Sequence, residues 1–173
     1  MHNATRRRYG TGKYWRQPVS APGALRQIKR AYSRYGITRE LFIDELQKTQ
    51  IPSAILVTSL MTYWYPGVVE AVSIAREVHP GVPVILGGIY ARLCEEHAKE
   101  FSGADYVSTD TALPDMGAIY RILTEFNITI PRAPEGGISP LYPAMNLLNK
   151  PDYACIMTSA GCPYRCRYCA SGF

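Results

Sequence analysis

Three cysteines crowd into eight positions of the stretch SAGCPYRCRYCASGF, where Cys162, Cys166 and Cys169 follow a C-x3-C-x2-C spacing. Thiolates are soft ligands that select iron–sulfur clusters, zinc or copper(I). A structural zinc site takes four protein ligands, commonly from two paired knuckles, and no second pair accompanies this loop. Cys155 lies one strand length upstream, while Cys94 and His97 fall on a predicted helix of another region. Three thiolates suit a 4Fe–4S cubane with one iron open to an exogenous ligand, because such clusters otherwise take four cysteines. An open iron points to chemistry rather than to structure or electron carriage. Zinc is the alternative that the residues themselves leave standing.

Such a loop needs a rigid element to deliver it. The stretch YACIMTS, residues 153–159, reads as a buried strand running directly into the cysteines. Upstream, SAILVTS (53–59) is a continuous apolar run, rich in β-branched residues, of the kind found in strands buried on both faces. PVILGG (83–88) is a second such run and ADYVSTD (104–110) a shorter third. Helical periodicity falls between and after them, over 67–79, 90–101 and 113–126. Strand and helix alternating in this way predict βαβ units, hence an open parallel sheet over 53–127 covered on both faces. Further towards the N-terminus, Leu25, Ile28, Ala31, Tyr32 and Tyr35 predict a helix over 22–35, and Thr38 is placed to cap another over 39–48. Residues 128–151 hold five prolines and a Gly-Gly pair, which predicts a linker with one helical turn near 143–148. The organisation expected is a basic arm with helices (1–52), an α/β domain (53–127), a linker (128–152) and the start of a second domain (153–173).

Composition sets the outer limits. A chain of 173 residues, 47% hydrophobic and 19% charged, is an ordinary globular one with enough length for a real core. No apolar run approaches the roughly eighteen residues of a membrane span. The N-terminal MHNATRRRYGTGKYW lacks an apolar signal region, so a cytoplasmic protein is expected. An odd cysteine count, five, argues against a disulfide framework and for ligation in a reducing compartment. The net charge of +5 is concentrated: up to residue 40 there are ten Lys or Arg against one acid, Glu40. We read this arm as a solvated basic face, since its aromatic and basic residues form no recognisable nucleic-acid-binding module in sequence. An RNA-associated adaptor is therefore the minor expectation. GTGKYW (10–15) lacks full Walker spacing, the TYWY aromatics (62–65) read as packing, and His97 reads as a boundary residue.

The CPYRCRYC loop behind its strand resembles the cluster motif of the radical S-adenosylmethionine (SAM) superfamily. That resemblance implies that Cys162, Cys166 and Cys169 ligate a 4Fe–4S cluster and that Tyr168 lies near the SAM adenine. It implies a 5′-deoxyadenosyl radical made by reductive cleavage of SAM, an electron donor of flavodoxin or ferredoxin type, and a substrate it does not name. The upstream region resembles the Rossmann-like, cobalamin-binding-like domain that precedes the barrel in one subgroup, the likeness covering about residues 9–173. It implies that Ser59, in SLM, and Gly87–Gly88 line a pocket for a nucleotide tail, both at strand ends where open parallel sheets bind ligands. A tight strand-to-helix turn accounts for the Gly-Gly pair equally well. The Asp-x-His-x-x-Gly signature is absent, none of His2, His79 and His97 having that context, so cobalamin is not implied on the same footing as the cluster and SAM. The resemblance further implies a first βα unit before residue 1 and a (β/α) barrel continuing past residue 173, the chain being an incomplete, weakly active or inactive piece. The alternative function is a non-enzymatic zinc-binding or RNA-associated module.

Overall fold

An apolar strand with side chains on two faces demands cover on both, and the central strand of this protein receives it. We describe the structure, a computed structural model, for residues 12–110, 116–129, 145–147, 153–154, 162–164 and 166–169. Two compact units share the chain: Ile37–Leu141, and Met1–Gly36 together with Tyr142–Phe173.

The first of these is mixed α/β. After an N-terminal hairpin of β1 (Arg16–Pro18) and β2 (Ser33–Tyr35), strands β3 (Ile55–Ser59), β4 (Val84–Gly87) and β5 (Tyr106–Val107) form a parallel sheet in the order β3-β4-β5. The register sets Ile55 beside Val84, Val57 beside Leu86 and Leu86 beside Val107. The pleat therefore gathers these five apolar residues on one face. There they meet Val68, Val72 and Ala75 of α2 (Tyr65–Val78), Tyr90 and Ala91 of α3 (Gly88–Leu93), and Ala98 of α4 (Glu95–Phe101). On the other face Ile85 is buried against Ile122 and Leu123 of α5 (Met116–Glu125), with Tyr106 and Ala54 alongside. This cover stops short of β3, where Leu56 is 57% exposed. The three strands, the parallel pairing and the helices on both faces agree with the expectation from hydrophobic runs.

Helix α1 (Arg39–Gln47) begins where expected, with the Leu41 N–H donating to the Thr38 hydroxyl at 3.2 Å. It is tied to α2 by an Arg39–Glu77 ion pair and by Thr49 Oγ1, 3.4 Å from Nε2 of the buried His79. The helix expected over 90–101 is two helices, broken at Cys94 (φ −131°, ψ 49°). Ala91 and Ala98 face the same core from either side of the break, so the apolar period runs on while the backbone does not. Glu95 and Glu96 then open α4, where negative charge suits a helix start.

The helix expected over 22–35 does not form. Residues Gly23–Leu25 make one 3-10 turn, and Ser33–Tyr35 is strand β2, antiparallel to β1 (Arg16–Pro18). Two forces oppose the helix. Arg26, Arg30 and Arg34 would stand at i, i+4 with no acid among them, which repels. Its apolar stripe also finds no core, Leu25 and Ile28 being 38% and 53% exposed. The turn expected near 143–148 is a 3-10 turn at Met145–Leu147. Tyr153 and Ala154 carry no regular structure, and the rest of the strand expected over 153–159 lies outside the described residues, as does most of the 128–152 linker.

Asp105 locks β4, β5 and α2 together. Its carboxylate accepts the Val84 N–H at 2.8 Å and the Arg76 guanidinium at 2.6 Å. Partial burial alone would raise its pKa, but the Val84 and Arg76 hydrogen bonds outweigh it and hold the group below its ordinary value of 3.8. A depressed carboxylate pKa adds stability above the unfolded-state pKa, and that contribution fades as pH falls through the folded value. Asp105→Asn should cost about 1–2 kcal/mol in urea unfolding at neutral pH, after allowance for solvent screening. The difference from the parent should shrink below about pH 4.

Candidate functional site

The cysteine loop is built on a short turn. The Cys169 N–H donates to the Cys166 carbonyl at 3.0 Å, so the last two cysteines stand at the ends of a four-residue turn. In such a turn the end Cα atoms lie within about 7 Å of each other, close enough for both sulfurs to reach one small cluster. Arg167 and Tyr168 occupy the middle, with Tyr168 93% exposed. Cys162, Cys166 and Cys169 are exposed thiols rather than half-cystines. Among the described residues no group of three or more His, Cys, Asp and Glu side chains is drawn together closely enough to hold a metal ion. The loop thus supplies three accessible soft donors in the expected spacing without gathering them. Metal sites whose ligands assemble only on binding are common, because thiolate repulsion and loop entropy disfavour a preformed cage.

The sheet-end residues meet one another directly. Ser59 ends β3 and Gly88 opens α3, and the two form a parallel bridge. Ser59 is buried, and its hydroxyl donates to the Met61 carbonyl at 2.9 Å. Gly88 has φ +86°, and a Cβ there would stand 2.4 Å from Thr58 Oγ1 and 2.8 Å from the Ser59 carbonyl oxygen. Its glycine is therefore required by the chain's own turn and by β3 pressing against it. Gly87 differs. It is extended (φ −134°), and a Cβ built on it meets nothing within 4 Å. Of the three predicted pocket residues, Gly87 alone borders open space at the C-terminal end of the sheet.

Sequence reasoning missed an aromatic network around His97. The Tyr90 hydroxyl lies 2.8 Å from His97 Nδ1, and the imidazole stands between the rings of Tyr65 (4.9 Å) and Phe101 (4.6 Å). Burial, reinforced by Cys94 and Tyr65, raises the Tyr90 pKa, so the phenol stays protonated at neutral pH. Tyr65 faces inward as packing, whereas Tyr63 and Trp64 are exposed. The signal was the seven-residue interval from Tyr90 to His97, two helical turns, obscured by the break at Cys94. An open polar cleft of about 480 Å³ beside β5 is lined by Glu95, Lys99, Asp105, Tyr106 and Asp110. Two of its carboxylates are engaged, Glu95 with Lys99 and Asp105 with Arg76.

Comparison with protein-family models, with curated proteins and with solved structures found no match. No helix among the described residues is long and apolar enough to cross a membrane.

The two glycines are predicted to part company on substitution. Gly88→Ala should destabilise the chain by about 2–4 kcal/mol, from backbone strain at positive φ together with overpacking. Gly87→Ala should change stability by less than about 1 kcal/mol, because alanine adopts the extended backbone without contact. Urea unfolding of both variants measures the contrast.

Proposed function

We propose that the chain is part of a radical SAM protein, binding a 4Fe–4S cluster through Cys162, Cys166 and Cys169. The C-x3-C-x2-C spacing carries this reading. The exposure of the three cysteines and the 166–169 turn support it. The donor set fits: three soft thiolates saturate three irons of a cubane and leave the fourth for another ligand. When bound, such a cluster supplies one-electron reductive cleavage of SAM, the electron coming from a flavodoxin- or ferredoxin-like donor. Under this proposal Tyr168, 93% exposed between Cys166 and Cys169, supplies the ring that stacks on the SAM adenine. Under the same proposal the three-stranded α/β unit is part of a Rossmann-like, cobalamin-binding-like domain, and Gly87 borders the space a ligand tail would take. Ser59 and Gly88 serve that space as a wall, their polar and small surfaces being used within the fold.

Anaerobic reconstitution with iron and sulfide tests the assignment. The chain should take up about four irons, and the Cys162→Ala, Cys166→Ala, Cys169→Ala triple variant should take up none specifically. Equal uptake by the triple variant, or stoichiometric zinc without iron in anaerobically purified protein, overturns it. On the loaded chain, Tyr168→Ala should weaken SAM binding by about 2- to 12-fold, the worth of one aromatic stacking contact.

A further inference from the structure

We propose that the N-terminal hairpin is a binding surface for single-stranded nucleic acid. Between residues 12 and 36 there are six cations (Lys13, Arg16, Arg26, Lys29, Arg30, Arg34) and no acid. The hairpin takes two of them into its strands, pairing Arg16 with Tyr35, Gln17 with Arg34 and Pro18 with Ser33. Directly opposite residues of an antiparallel ribbon share a face, with Cβ atoms about 5 Å apart. One face therefore presents a guanidinium beside a phenol ring, and Tyr35 is 62% exposed. Tyr14, two residues before β1, is 71% exposed, Lys13 beside it is exposed as well, and Arg26, Lys29 and Arg30 are exposed in the connection between β1 and β2.

A cation that holds phosphate next to a ring that stacks a base is the pairing by which single strands are held without sequence preference. Duplex recognition by a ribbon asks for side chains reaching base edges in a groove, whereas exposed tyrosines favour unstacked bases. Attachment to an anionic lipid surface would want a continuous apolar face opposite the charges, as on an amphipathic helix. This segment has no such helix, its one helical piece being the three-residue turn Gly23–Leu25. The ligand class is single-stranded polynucleotide, RNA or DNA.

Fluorescence anisotropy with the full chain tests this, using labelled oligouridylate and oligothymidylate of about 12 nucleotides, with phosphatidylserine vesicles as a third probe. Both or either oligonucleotide should bind, with affinity falling as salt rises at a log–log slope of about −2 to −3, as for three or four phosphates. Tyr35→Ala should lower affinity by about 5- to 100-fold, while Tyr35→Phe, which keeps the ring, should bind as the parent does. An Arg16→Gln, Lys29→Gln, Arg30→Gln variant should lose both affinity and salt slope. Absence of oligonucleotide binding at low salt, with or without vesicle binding, overturns the proposal. So does parental affinity in Tyr35→Ala, which would reduce the surface to charge alone.

Discussion

Strand β4 has no side turned to solvent, and the α/β unit is arranged around that fact. Val84 and Leu86 are wholly buried on one face and Ile85 is 6% exposed on the other, so helices must lie above and below. Burying three such side chains contributes on the order of 5–8 kcal/mol, comparable with the net stability of a whole domain. The strand's two ends are then specified separately. At its start, Asp105 takes the Val84 N–H and couples β5 and α2 to it through Arg76. At its end, Gly87 and Gly88 turn the chain into α3 so tightly that Gly88 rests on the β3 backbone. The same turn leaves Gly87 facing open space.

What could be read from the residues followed the length scale of the forces involved. Strands buried on both faces are locally visible, because apolar runs such as PVILGG need no knowledge of their partners. The cap at Thr38 was equally local. The hairpin was not, since pairing Arg16 with Tyr35 joins positions far apart in sequence and nothing near either one marks the register. Leu25 and Ile28 carried a helical period that had no core to pay into. The division of 90–101 at Cys94 escaped for the opposite reason, both halves keeping one apolar period across a broken backbone. For the candidate sites, spacing marked the three cysteines and strand ends marked Ser59, Gly87 and Gly88. Which glycine was needed for the turn and which faced space was a matter of three-dimensional approach.

The chemistry and the framework are carried by different kinds of residue. In the α/β unit polar groups are spent internally: Ser59 on Met61, Tyr90 on His97, Asp105 on Arg76 and Val84. The cysteine loop and the hairpin instead expose Cys162, Cys166 and Cys169, and Tyr14, Arg16 and Tyr35, at the surface. The three cysteines of the loop are exposed and ungathered; under the proposed reading, cluster binding and local ordering of the loop would be coupled.

Electron paramagnetic resonance of the iron- and sulfide-loaded chain, reduced anaerobically and recorded with and without SAM, tests the central claim most directly. The account predicts the signal of a reduced 4Fe–4S cluster whose shape changes when SAM is added, because three cysteines leave one iron open to it. A signal indifferent to SAM, or no cluster signal at all, would contradict the assignment of Cys162, Cys166 and Cys169 to a site-differentiated cluster.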